Sequence, residues 1–157
     1  MKTLTALVLV FLLLTTSVNA SKEAIVDQCA HKIAESFVLM NKIEQAKAAH
    51  DYLIQNVKFD HSMSENSFTA YGALVERKAV CQGYSFAYYE ILIHLDIPCN
   101  IWIGTTSQGL HAWNFIKIDD RGYFVDVTWD DKDNGRTYYE YFMIAQIPDH
   151  YVLFTLY

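Results

Sequence analysis

Three residues in this sequence have the types and order that thiol chemistry requires. Cys81 heads an apolar run in Ala79-Val80-Cys81-Gln82-Gly83-Tyr84, and His111 begins His111-Ala112-Trp113-Asn114. Asp126 lies within Tyr123-Phe124-Val125-Asp126-Val127-Thr128-Trp129-Asp130. Together they supply a nucleophile, a general base and a carboxylate to orient the base, which is the logic of acyl transfer through a thioester. A thiol in the first turn of a helix sits at the positive end of the helix dipole, beside N–H groups that lack intrahelical partners. Both effects favour the thiolate, and the same N–H groups can hold an oxyanion. An imidazole of ordinary pKa, about 6.5, can take and return a proton at neutral pH. Residue types alone leave open an inert buried thiol for Cys81 and a backbone-bonded histidine for His111.

The elements that would position these residues follow from periodicity. Val26, Cys29, Ile33, Phe37 and Met40 recur at helical spacing and predict a helix over 22–40. A second helix is expected over 42–57, with His50 at the boundary of its apolar stripe as a packed, hydrogen-bonded histidine. Residues 59–69 have no period and read as a loop, with His61 exposed and a helical turn following over 70–76. The segment from Cys81 to Leu95 is apolar nearly all round, as expected of a helix buried at the centre of a domain, and Asp96-Ile97-Pro98 ends it. Strands are expected over 99–104, 111–118 and 123–129, and 138–145 and 151–156 read as further short strands or a final turn of helix. Helices first and an antiparallel sheet afterwards define the α+β class.

Hairpin parity tests the carboxylate. A two-residue loop at Asp120-Arg121 pairs Ile118 with Tyr123 and puts Asp126 and Asp130 on the same face as His111, with Asp130 directly opposite it. A bulge or twist would then be needed to bring Asp126 closer, so the spacing leaves both carboxylates in play.

The three motifs together resemble those of the transglutaminase-like superfamily, most closely the bacterial members with the pattern VCQGY, HAWN and VDVTWDD. The similarity extends upstream to the segment from His50 to Asp60 and to Ala70-Tyr71-Gly72-Ala73-Leu74-Val75, so that it covers about Ala49 to Asp131. The resemblance implies a papain-like α+β fold with Cys81 as nucleophile, His111 as base and Asp126 as orienting carboxylate, which leaves Asp130 and Asp131 to a solvated loop. Animal transglutaminases use a Trp upstream of the Cys to hold the oxyanion, whereas all three Trp here lie after Cys81. Gln82, Gly83, Tyr71 and Trp113 are therefore the candidate oxyanion- and substrate-binding residues, alongside the backbone. Gly122 stands where related chains often carry an aromatic residue. The calcium sites of the animal enzymes have no visible counterpart, and residues 130–135 do not fit EF-hand spacing, so no metal or cofactor is expected.

Composition narrows the setting. Lys2, the apolar stretch from Leu4 to Leu14 and the small residues Val18-Asn19-Ala20 read as a signal peptide over 1–20 cleaved before Ser21, leaving one domain over 21–157. The expected product is secreted, with no membrane insertion after cleavage. Without Lys2 the chain has 11 basic and 18 acidic residues and no basic cluster, which argues against nucleic acid as a partner. The three Cys allow either a Cys29–Cys99 disulfide with Cys81 free or three separate thiols. Eleven Tyr can line a groove or be buried with satisfied hydroxyls. The leading expectation is an exported cysteine acyl-transfer enzyme acting on peptide or protein amides. The alternatives are a non-catalytic module that keeps the fold, and a zinc site made of Cys81, His111 and Asp126, for which no close ligand pair such as CxxC is present.

Overall fold

The computed structural model describes residues 21–157. The reading of a cleaved signal falls on residues 1–20, outside the described residues. Helix α1 runs through residues 21–35, and turns occupy 36–40, five residues short of the expected end. Asn41 ends α1's approach by starting a new helix. Its side chain accepts from the Glu44 N–H at 3.0 Å, and the Glu44 carboxylate accepts from the Asn41 N–H at 3.1 Å. This reciprocal capping box opens α2 (Lys42–Asn56).

Two short strands, β1 (Lys58–Phe59) and β2 (Lys78–Ala79), pair in parallel across the segment expected to be a loop. Between them lie a 3₁₀ turn (Glu65–Phe68) and a π-helical turn (Gly72–Glu76). This assembly leads directly into α3 (Cys81–Ile93), as predicted for the Cys-bearing helix. α3 has no polar face because it packs against α2 and against the sheet. Its buried tyrosines find acceptors: the Tyr88 hydroxyl donates to the Ala46 carbonyl at 3.1 Å, and that of Tyr84 to Asp131 at 2.7 Å.

A five-stranded antiparallel sheet follows, in the order β6-β5-β4-β3-β7. Its strands are β3 (Cys99–Thr106), β4 (Gly109–Ile118), β5 (Arg121–Val125), β6 (Phe142–Ile144) and β7 (Tyr151–Leu156). Asn114, Ile116 and Ile118 alternate toward α3, where the Asn114 amide donates to the Ser85 carbonyl at 3.1 Å and the two isoleucines join the main core. Helices packed on an antiparallel sheet make the fold α+β, as expected.

The β4–β5 register corrects the parity argument. The loop is Asp119-Asp120, both with positive φ (50° and 61°), so that Ile118 pairs with Arg121. A two-residue hairpin turn with both central residues left-handed matches strand twist, and Asp tolerates that conformation. The shift of two residues keeps the facing but moves Asp126 toward the His111 end of β4 without a bulge in this pair. β5 also ends at Val125, earlier than expected, and Asp126 is instead the N-cap of a four-residue helix, α4 (Val127–Asp130).

Candidate active site

Cys81 is the first residue of α3, and its cap residue Val80 has no side-chain acceptor. The first α3 N–H to bond back is that of Tyr84, onto the Val80 carbonyl at 3.1 Å. The N–H groups of the first turn are therefore not satisfied by the helix or by a capping side chain. The helix start is held from behind, where the Val80 N–H donates to the Ser67 carbonyl at 2.9 Å. Gly83 makes this approach possible, because a Cβ there would lie 2.3 Å from the Ser67 carbonyl oxygen. Gly83 thus lets α3 dock on the 3₁₀ turn and is itself buried.

His111 is the third residue of β4 and pairs with Gly104 of β3. Its Nε2 lies 2.7 Å from Asp126 Oδ2, which leaves Nδ1 as the other ring nitrogen, and Cys81 lines the same cleft as His111. Burial disfavours the His111 cation, but the hydrogen bonds to Asp126 and Cys81 outweigh it and raise the pKa to about 10. Asp126 is almost completely buried. Burial opposes its charge, yet the hydrogen bonds from His111 and His150 win and hold its carboxyl below the ordinary range. Its Oδ1 accepts from the Trp129 N–H at 3.1 Å, and its own N–H donates to the Tyr141 carbonyl at 2.9 Å. The structure therefore brings together all three residues that the motifs single out.

Cys81 and His111 open onto a cleft of about 540 Å³, whose walls include Phe59, Phe68, Leu110, Trp129 and Tyr141. The other candidate residues lie elsewhere. Gln82 and Tyr71 line a neighbouring groove of about 680 Å³ that shares Phe68 with the cleft. Trp113 has no exposed surface and forms the floor under His111 and His150, so it cannot meet a substrate. Asp130 is not solvated but completely buried against His50, while Asp131 is half-buried, holds the Tyr84 hydroxyl and lines the cleft. All three cysteines are free thiols. Cys99 is buried beside the Asn114 amide, and burial pushes its thiol up to about 12, so it stays protonated and inert.

Sequence reasoning missed His150. Its Nε2 lies 3.1 Å from Asp126 Oδ2, and its ring packs edge-on against Trp113 and Trp129. It sits in the connection between β6 and β7, where no strand parity or helical period points to a face. The Pro148-Asp149 turn before it was the sole local signal. His111, Asp126 and His150 present ligand atoms within 4.8 Å of one another, a set of the kind that also binds metals.

With fold and geometry in place, the class is defined: the chain belongs to the transglutaminase-like superfamily, whose family model matches residues 31–127. Among solved structures, it is similar to a TGase (18% identity, 73% of this chain and 34% of that one, TM-score 0.61). It is also similar to a candidate cysteine protease from Cytophaga hutchinsonii (20% identity, 71% of this chain and 40% of that one, TM-score 0.58). A third is calcium-bound LapG from Legionella pneumophila (11% identity, 80% of this chain and 71% of that one, TM-score 0.60). At these identities the likeness establishes the fold, that of cysteine enzymes. The chain spans about a third of the TGase and 40% of the cysteine protease. No curated protein matches the sequence.

Proposed function

We propose that this protein is an exported cysteine acyl-transfer enzyme acting on peptide or protein amides. Cys81 sulfur attacks the carbonyl carbon, and the oxyanion is received by the free N–H groups of the first α3 turn. The C–N bond breaks as His111 gives its proton to the leaving amine, which leaves a thioester on Cys81. An incoming amine or water then attacks the thioester, His111 takes its proton, and the S–C bond breaks to restore the thiolate. Asp126 fixes the ring and stabilises its cation throughout.

The observation that carries this reading is that His111, held at 2.7 Å by the buried Asp126 carboxylate, lines the same cleft as Cys81. The aromatic and aliphatic walls suit an amide flanked by apolar side chains.

Two assays test it. Iodoacetamide at neutral pH should label Cys81 far faster than Cys29 or Cys99, as read by peptide mapping. Casein offered with a fluorescent primary amine should then incorporate the amine, or release peptides, in a manner lost in Cys81→Ala. Slow, equal labelling with neither product would instead identify a non-catalytic module.

A further inference from the structure

Asp126 Oδ2 faces two imidazoles, and only one belongs to the acyl-transfer machinery. His150 Nδ1 lies 2.7 Å from the Pro148 carbonyl oxygen, and its Nε2 lies 3.1 Å from Asp126 Oδ2. A carbonyl oxygen can only accept, so Nδ1 carries a hydrogen. If Nε2 carried none, its lone pair would point at a carboxylate oxygen at hydrogen-bonding distance. Asp126 does not supply the missing proton: it already accepts from His111 and from the Trp129 N–H, an arrangement that favours the anion.

We propose that His150 is a positioning residue whose imidazolium, donating from both ring nitrogens, holds Asp126 as an anion and completes a line of alternating charge, Cys81 thiolate, His111 imidazolium, Asp126 carboxylate and His150 imidazolium. This rests on the acyl-transfer reading of Cys81 and His111. Two anions and two cations leave the buried cluster neutral, whereas the three-residue set alone would hold a net negative charge in a low-dielectric site. Removing the outer cation makes the thiolate less favourable and holds the proton on His111 more tightly.

The groups facing His150 fit this role. Asp126 comes from the start of α4, His111 from β4, and Tyr141 from the segment before β6, while Trp113 and Trp129 form apolar walls. Its side chain is wholly buried. The turn that carries it is pinned: Asp149 has φ +59°, and its carboxylate accepts from the Ser107 N–H at 3.1 Å and from the Ser107 hydroxyl. Ser107 lies in the turn joining β3 to β4, so the hairpin that presents His111 also fixes the position of His150.

The decisive measurement is ¹⁵N NMR of histidine-labelled protein at neutral pH, with His150 assigned by its loss in His150→Gln. Hydrogens on both His150 ring nitrogens are expected. A bare Nε2, or a bound metal ion stoichiometric with the protein and lost in His150→Gln, would overturn the proposal, and neither depends on enzymatic activity. Kinetics give the second readout. His150→Phe keeps a packed ring but loses both hydrogen bonds, and should lower kcat about 10- to 100-fold with KM little changed, by analogy with the loss of other outer hydrogen-bonding partners. In that variant the His111 titration should move to higher pH. His150→Gln, whose amide can still donate to Asp126, should recover part of kcat. Unchanged profiles in a folded His150→Phe would leave His150 as packing alone. Inactivity of the wild-type protein together with a doubly protonated His150 would sink the acyl-transfer reading and leave the protonation assignment standing.

Discussion

Among the described residues, the His111–Asp126 pair and the His50–Asp130 pair are both buried and share a similar geometry, but their surroundings differ. His111 Nε2 meets Asp126 at 2.7 Å, and His50 Nε2 meets Asp130 at 3.1 Å. The difference lies on the other ring nitrogen. His50 Nδ1 faces a second carboxylate, Asp51, at 3.1 Å, and its ring is covered by Tyr139 and Phe142. His50 therefore has no free position and no access to a cleft. His111 keeps one nitrogen for a thiol at a cleft mouth. The same two residue types make a structural clamp when both nitrogens face carboxylates, and a candidate proton shuttle when one does not.

The pairs are also mechanically joined. The Tyr141 N–H donates to Asp130 at 3.0 Å, and the Tyr141 carbonyl accepts from the Asp126 N–H at 2.9 Å. Asp130 thus ties α2 to the backbone unit that locates Asp126. The largest expected effect falls on the cleft pair. Cys81→Ala should abolish acyl transfer and the fast phase of thiol labelling. Asp126→Asn keeps a cap for Trp129 but loses the charge that stabilises the His111 cation, and should lower kcat by about 10⁴-fold, as for an equivalent loss in other triads. Retained kcat in folded Asp126→Asn would erase the distinction between the pairs.

Asp130→Ala should show the opposite profile. It leaves His50 and the Tyr141 N–H without their buried acceptor, at a cost of about 3–5 kcal/mol in unfolding free energy measured by urea titration. Active-site titration of the fraction that remains folded should give kcat within about tenfold of wild type, below the cost of losing a first-hand catalytic partner. A collapse of kcat without a loss of stability would make Asp130 part of the machinery.

Much of this was legible in the sequence. The apolar run after Cys81 gave α3 at its observed start, and the ordered motifs placed His111 and Asp126 at one site. What failed was local geometry that periodicity does not carry. Asp119-Asp120 and Asp120-Arg121 are equally two residues long, and only the left-handed φ values of the aspartates select the register. Asp130 follows a strand-like run, but a four-residue helix turns it inward to His50, eighty residues away in sequence. Gln82 and Tyr71 have suitable chemistry, but Gln82 on α3 and Tyr71 at the start of the π-helical turn both face the adjoining groove.

Alkaline pH should weaken both pairs. Burial opposes the His50 cation, but the hydrogen bonds to Asp130 and Asp51 raise its pKa above the ordinary value, as those to Asp126 and Cys81 do for His111. A histidine with a raised folded-state pKa contributes stability that is fully present below its unfolded value, about 6.5, and is lost as pH rises through the folded value. For His111 that window extends to about 10. Urea midpoints should therefore fall between neutral pH and pH 10, and the fall should be smaller in His50→Gln, which has one raised histidine fewer. An equal fall in both proteins would mean that His50 enters the fold without its charge.

The smallest effect is expected at the outer rim of the clamp. Lys47 reaches Asp51 at 2.5 Å and lies over the Tyr139 ring, but its side chain is nearly half exposed. Solvent screening and the entropy of a long side chain limit such a pair to about 0–1 kcal/mol. Lys47→Ala should therefore lower stability by less than about 1 kcal/mol, leave kcat unchanged, and leave the His50 titration, followed by ¹⁵N NMR, above that of an ordinary imidazole. The reason is that Asp130, and not the surface lysine, supplies the fully buried counter-charge to His50. A large loss of stability in Lys47→Ala would instead show that the clamp depends on Asp51 being held in place from outside, and that its inner pair is not self-sufficient.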